Sequence, residues 1–420
     1  MPHPNTSLPL PARRTAPAHV RCLEIFLTNQ CNMSCVHCAA LCAKKAAEVK
    51  VIEWKDLKAG IDSFMDPHGT PYRGQKAIAL AGGEPFAVFP LVLKAAQYAH
   101  GLQPRPALIL FTNGTLATPE KVRKLRSLGV TIIFSLDGDK TGNDLFRKFR
   151  GGKASAYDAV MKNLEKLPSK EGLATNTVLR PGNLDGTLKA LDRFAAMGFK
   201  SCDLWIDYFH LWTDDELRRL EAFMQSFTDY YVRRTKEEGR LPFYVEMIHH
   251  ALYNAVFLER GKAWWDKCFR LILGADGNYY DCQGIYAFPY GRAASSVINR
   301  AVDSRGADWK ARETYMEKAA GMLKKLKVDK DWQHVCPRCY YKVLDLMGKP
   351  EDLPAMMENL HKVSRVFMGA LVDAASRLRS ERSFVEAYIE QPMYGATPDE
   401  LGLPAKEVRA LLLKLLPNKS

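Results

Sequence analysis

The sequence predicts an α/β protein: an incomplete (βα)6 TIM-like barrel, then a smaller cysteine-bearing domain, then a helical C-terminal extension. Three observations lead there. Short apolar runs alternate with helical segments six times between Val20 and Tyr208. Polar and glycine-rich sequences follow those runs at the same end. Seven of the ten cysteines fall into groups. Such alternation implies a parallel sheet with right-handed crossovers and chemistry at the C-terminal ends of its strands.

The apolar runs begin at Cys22-Leu23-Glu24-Ile25-Phe26-Leu27, Ala77-Ile78-Ala79-Leu80, Ala107-Leu108-Ile109-Leu110-Phe111, Thr131-Ile132-Ile133-Phe134, Leu173-Ala174-Thr175-Asn176-Thr177-Val178 and Asp203-Leu204-Trp205-Ile206. One intervening helix has readable ends: Thr118 as N-cap, Pro119 in the first turn and Gly129 as the stop after Leu128. The Cys31 group follows the first strand, Gly82-Gly83-Glu84-Pro85 the second and Thr112-Asn113-Gly114 the third. Ser135-Leu136-Asp137-Gly138 ends the fourth, and Asp207 ends the sixth. This makes 20–212 the barrel and 213–265 a helical connector. From Cys268 the texture changes to short strands and turns, with Ala275-Asp276-Gly277-Asn278 as a hairpin signal, and 266–350 is read as the second domain. In the extension, 351–420, Met356, Leu360, Val363, Phe367 and Leu371 share helical spacing and are expected to form a packed face.

A chain of 420 residues can bury a core without disulfide staples. Residues 1–19 are rich in Pro, Ala and Arg, lack the apolar stretch of a secretory signal, and are read as a disordered lead-in. No run reaches the roughly 18 apolar residues of a membrane span. A cytoplasmic protein without a membrane partner is expected, in which ten cysteines are not disulfides. The net charge of +13 fits either a solvated basic surface or attraction to an anionic partner, and does not choose between them. A nucleic-acid partner is not expected.

Cys31-Asn32-Met33-Ser34-Cys35-Val36-His37-Cys38 holds three thiols within eight residues. Thiolates are the usual ligands of iron–sulfur clusters, and three of them reach three corners of a cube while leaving the fourth iron open. Random placement of ten cysteines in this chain yields C-x3-C-x2-C about 0.006 times, so the spacing is informative. Zinc is the rival, with His37 or Cys42 as fourth ligand.

C-x3-C-x2-C after the first strand of a strand–helix series resembles the radical S-adenosylmethionine (SAM) superfamily over residues 20–210. The resemblance implies that the open iron chelates SAM, and that reduction yields methionine and a 5′-deoxyadenosyl radical that takes hydrogen from a substrate. Gly82-Gly83-Glu84-Pro85 is similar to the family motif that contacts the SAM amino group. Its glycines allow close backbone approach, and Glu84 is able to accept from an ammonium. Ser135 and Arg147 match the strand-four motif of the peptide- and protein-modifying branch, where they contact SAM; Arg150 is a neighbouring rival. Asn113 and Asp137 are further SAM-site candidates, each with a turn-forming alternative.

Cys268, Cys282 with Gly277 five residues earlier, and Cys336-Pro337-Arg338-Cys339 make a second set of four thiols. They suit one [4Fe–4S] cluster or a structural zinc. Beside the first motif they resemble the Twitch domain, the shortened SPASM domain, which implies one auxiliary [4Fe–4S] cluster. Cys22, Cys42 and Cys202 remain and are read as buried thiols. Asp207 is the candidate catalytic base, with Tyr208 and His210 beside it.

The function expected is reductive cleavage of SAM and hydrogen abstraction from a peptide or protein side chain, giving oxidation or a crosslink. A small-molecule dehydrogenase or rearrangement enzyme acting on a carbohydrate- or nucleotide-like substrate is the second reading. A zinc-binding protein that contacts nucleic acid is the third. The first two require an electron donor such as flavodoxin or ferredoxin.

Overall fold

The structure is a computed structural model and describes residues 19–38, 48–259, 268–284, 295–303, 306–325, 337–391 and 404–416. Six parallel strands run in chain order: β1 Cys22–Phe26, β2 Ala77–Ala81, β3 Ala107–Thr112, β4 Val130–Ser135, β5 Leu173–Leu179 and β6 Ser201–Ile206. Helices cross between them: α1 Trp54–Met65, α2 Phe89–His100, α3 Pro119–Arg126, α4 Lys140–Phe146, α5 Ala156–Glu165 and α6 Leu184–Ala196. Each predicted apolar run became a strand. Thr118 caps α3 by accepting from Lys121 N, and Gly129 takes the left-handed turn after it, at φ +74°.

Side chains alternate along each strand. Leu23, Ile25, Ile78, Leu80, Leu108, Leu110, Ile132, Phe134, Leu204 and Ile206 pack outward against the helices in the main core. Cys22, Ala77, Ala79 and Ile109 form a second, smaller buried cluster on the inner face, with Phe111 and Ile133 against it. The sheet curls around this inner face as an unclosed barrel.

The hairpin at Gly277 is present, but it makes no sheet of its own. Strand β7, Arg270–Leu273, pairs in parallel with β1, Cys22 opposite Arg270. Strands β8, Asn278–Tyr280, and β9, Val297–Arg300, follow antiparallel. The order is β6-β5-β4-β3-β2-β1-β7-β8-β9. The expected six-strand sheet is thus extended at its β1 edge, because β1 there offers a free row of backbone donors and acceptors that a later segment fills.

Helices α7, Asp214–Glu238, and α8, Glu246–Glu259, follow β6. Helix α7 begins in a capping box formed by Thr213 and Glu216 and ends at Gly239 with φ +63°. Further on come α9 Trp309–Lys325, α10 Pro337–Met347 and the long α11 Leu353–Leu378. Leu360, Val363, Phe367 and Leu371 of α11 are buried as their spacing requires, and Met356 is partly buried beside them. Arg382–Phe384 leads into a π-helical turn, Val385–Ile389, and α12, Ala405–Leu415, closes the described chain. No described helix is long and apolar enough to cross a membrane. The lead-in up to residue 18, Cys42 and Cys336 lie outside the described residues.

Candidate active site

The loop after β1 carries Cys31, Cys35 and Cys38, and neighbouring segments grip it by backbone. From β2, Gly83 N donates to Thr28 O at 2.7 Å and Glu84 N to Gln30 O at 2.7 Å. A Cβ on Gly83 would stand 2.1 Å from Gln30 O, and Gly82 sits at φ +138° with Thr28 O at 2.4 Å from its own would-be Cβ. The glycine pair is therefore required by the protein's own loop. From the segment after α4, Ser34 N donates to Lys148 O, Val36 N to Phe146 O and Arg150 N to Asn32 O, at 2.8, 2.9 and 3.0 Å. From β3, Asn113 Nδ2 donates to Asn32 Oδ1 at 2.9 Å and lies 3.8 Å from Cys31 Sγ. Gly83→Ala is expected to push the loop outward and lower SAM cleavage about 100-fold, the scale on which small misplacements act. Iron retained after reconstitution and 5′-deoxyadenosine yield check it.

The three thiols lie in one another's electrostatic field. Burial pushes the Cys35 thiol up to about 12, Arg147 opposes this, and Cys38 and Cys31 add to it. Among the described residues, no three His, Cys, Asp or Glu side chains close around the point of a single ion. A cube binds each thiolate at a different corner, so it holds them farther apart than one ion does. Of the two fourth-ligand candidates for zinc, Cys42 lies outside the described residues and His37 points away from solvent. That ring is turned inward with its side chain 6% exposed, Nε2 3.2 Å from Asp137 Oδ2, and burial lowers its pKa to about 4. Met33 N, 3.3 Å from Cys31 Sγ, and Asn113 Nδ2 supply donors to a thiolate, and Arg147 supplies positive charge beside Cys35 and Cys38. The donor set fits a three-thiolate cluster.

Behind the loop, Asp137 is fully buried. Arg147 Nη2 donates to its Oδ1 at 2.9 Å, Arg147 Nε lies 2.8 Å from its Oδ2, and Val178 N donates to Oδ1 at 2.9 Å. Asp137 thus holds the guanidinium beside the thiols by one hydrogen bond and one close ion-pair contact. The side chain of Arg150 is exposed. Ser135 is half-buried on the inner face at the end of β4, in register with Asn176.

Two expected site residues are held by protein partners. Glu84 was expected to accept from a ligand ammonium, but its carboxylate is fully buried and taken by protein donors. Oε1 accepts from Phe86 N at 3.0 Å and Thr112 Oγ1 at 2.7 Å, and Oε2 from Asn113 N at 2.8 Å. It braces β2 to β3, and Pro85 starts the helical turn that follows. Asp207 was expected to be a base, but Arg180 Nη1 lies 2.8 Å from its Oδ2 and Phe209 N donates to its Oδ1 at 3.0 Å. This pair ties the end of β6 to the loop after β5.

At the opposite end of the sheet, β7 and β8 bring Cys268, half-buried, and Cys282, buried, to the same side. Buried Arg312 of α9 donates to Cys268 O at 2.8 Å. Lys342 of α10 lies 2.9 Å from Asp281, the neighbour of Cys282, with both side chains buried. Cys339 stands one helical turn before Lys342 on α10. Cys22 and Cys202 are buried, as expected.

Sequence reasoning missed Asp203. Its signal was there: a lone carboxylate in the inward-facing phase of an otherwise apolar strand.

Residues 25–195 match the Radical SAM superfamily. They form a radical SAM domain. Such a domain implies SAM and a [4Fe–4S] cluster. The chain is 32% identical over 177 residues to the AdoMet-dependent heme synthase of Methanosarcina barkeri, covering 41% of this chain and 46% of the relative. It is 34% identical over 148 residues to the Fe-coproporphyrin III synthase of the same organism, covering 35% and 33%. The chain thus spans about half or less of these curated relatives. The fold resembles that of anSMEcpe with bound AdoMet, at TM-score 0.55 and 15% identity, covering 81% of this chain and 99% of that one. That likeness includes the helical C-terminal part beyond the domain.

Proposed function

We propose that this protein is a radical SAM enzyme that cleaves SAM reductively and takes a hydrogen atom from a peptide or protein side chain. The observation that carries the SAM reading is the Cys31, Cys35 and Cys38 loop, gripped at the mouth of the parallel strands with Arg147 beside it. A [4Fe–4S] cluster on these thiols supplies, when bound, the electron that splits SAM into methionine and the 5′-deoxyadenosyl radical. The protein's own part is to hold and shield. The Gly82–Gly83 backbone, Asn113 and Ser135 would help hold SAM, and Arg147, held by Asp137, would supply positive charge for its carboxylate. A small acidic electron carrier of the flavodoxin or ferredoxin class suits the +13 chain.

The convergence of Cys268, Cys282 and α10 supports an auxiliary [4Fe–4S] cluster on Cys268, Cys282, Cys336 and Cys339. For the peptide substrate, support comes from the anSMEcpe likeness, since that protein is known with AdoMet and a peptide bound. The heme-synthase relatives favour a second reading, a small-molecule substrate.

Anaerobic reconstitution tests both clusters. About eight irons per chain are expected, with 5′-deoxyadenosine formed from SAM and dithionite. Cys268→Ser with Cys282→Ser is expected to leave about four irons and retain SAM cleavage. Zinc at the second set, or no 5′-deoxyadenosine, overturns the corresponding reading. Mass shifts in a tryptic digest of the host proteome, incubated with the enzyme, test the peptide substrate.

A further inference from the structure

Several carboxylates around the barrel's inner face and mouth pair with arginine, while Glu84 is held by three neutral donors. Asp137 has Arg147 and Asp207 has Arg180, each at 2.8 Å, and Glu24 has Arg270 at 2.8 Å. Asp203 of β6 is different. It is 7% exposed, and among the described residues no cation pairs with it. Its Oδ2 accepts from Trp205 Nε1 at 2.7 Å and its Oδ1 from Met247 N at 3.2 Å.

Asp203 also occupies a telling position. Cys202, Leu204 and Ile206 face the main core, so strand alternation sets Asp203 on the inner face of β6, where Met247 N of α8 reaches it. Strand register sets Asp203 opposite Asn176, and Asn176 opposite Ser135. The three side chains form one row across β6, β5 and β4. Ser135 is at the mouth assigned to SAM, and Asn176 Oδ1 in the middle of the row is buried without a hydrogen bond from the described residues.

We propose that Asp203 is a catalytic residue, the proton acceptor for the substrate in the barrel lumen, and that the substrate carries an N–H, O–H or S–H next to the carbon that loses hydrogen. The proposal rests on the radical SAM reading above. In this step the X–H bond breaks, its electron pair stays on X, and the proton becomes the O–H of the Asp203 carboxyl.

The charged and titratable groups around Asp203 suit this. Glu246 and His250 come from α8, Tyr388 from the π-helical turn, and Arg270 of β7 acts on Glu246. His250 stacks edge-on to Trp205 at 6.1 Å. Burial, then the like charge of Glu246, hold the Asp203 carboxyl well above the usual carboxylate range. A carboxyl raised this way ionises near neutral to mildly alkaline pH, where a general base is most effective. Turnover should therefore rise with pH as it ionises. A charged cap for the N-terminus of α8, bonded through Met247 N, is the competing role, and it requires a permanent carboxylate.

Infrared difference spectra of the reconstituted enzyme separate the two. The band of a protonated buried carboxyl is expected at about pH 6, gone by about pH 10 and absent from Asp203→Asn. Glu246→Gln should lower its midpoint by removing the like charge, and Trp205→Phe should raise it by removing a donor to the charged form. No band, or a band that survives Asp203→Asn, overturns the proposal. With SAM, dithionite and the tryptic digest, Asp203→Asn should yield about 100-fold less modified peptide per 5′-deoxyadenosine formed, with the rise with pH lost. Modified peptide at the wild-type rate overturns it. If the wild type modifies no peptide, the infrared result alone decides. If it forms no 5′-deoxyadenosine, the radical SAM reading has failed, and the infrared bands still report on Asp203. Thermal unfolding of each variant verifies folding.

Discussion

Replacing Cys35 by Ala is expected to reduce 5′-deoxyadenosine formation to background while leaving the fold intact. Cys35 is the middle thiol of the loop and the one closest in charge to Arg147, which opposes the rise that burial imposes on it. Two remaining thiolates cannot hold three corners of a cube, so the SAM-binding cluster is lost rather than weakened. The loop itself is held by backbone bonds from Gly83, Ser34 and Val36, none of which involves the Cys35 side chain. The stability change should therefore stay within about 0.5 kcal/mol, as for a partly exposed side chain outside the core. Iron should fall from about eight to about four per chain, with the second set retained. Wild-type SAM cleavage by this variant would sink the assignment of the loop.

Asp137→Ala should have the largest effect on stability. Asp137 is fully buried, and its partner Arg147 is 10% exposed in its side chain, so removing the carboxylate strands a guanidinium inside the protein. Breaking a buried pair on one side costs about 3–5 kcal/mol, because the remaining charge has lost its compensation. Val178 N loses an acceptor as well. Denaturant unfolding measures the loss. Asp137→Leu combined with Arg147→Met should recover most of it, since the pair is removed together. That double variant should still fail to cleave SAM efficiently, which separates the folding role of the pair from its place at the thiols. A single-variant loss under about 1 kcal/mol would show that water reaches Arg147 and that the pair is not the buried brace described here.

How much of the site was legible follows from distance along the chain. The three thiols, the glycine pair and the hairpin at Gly277 are local patterns, and each stands where its spacing required. The true partner of each motif was not local. Gly82 and Gly83 are glycines because the backbone of Thr28 and Gln30 passes over them. Glu84 reaches β3 because Thr112 Oγ1 and Asn113 N, which come only after the chain has turned through α2, donate to it. Asp207 and Arg180 look unrelated in sequence and meet only because β5 and β6 are neighbours.

The sequence alone determined the six strand–helix units and the place of the Cys31 loop after the first strand, because hydrophobic period and residue spacing are properties of a few consecutive residues. Tertiary structure decided which of three aspartates are paired with arginine. Asp137, Asp203 and Asp207 each sit on or just after an apolar strand and look alike there. Only the packed barrel gives the first Arg147, the third Arg180 and the second no cation among the described residues, because burial and charge pairing depend on strands and helices far apart in the chain.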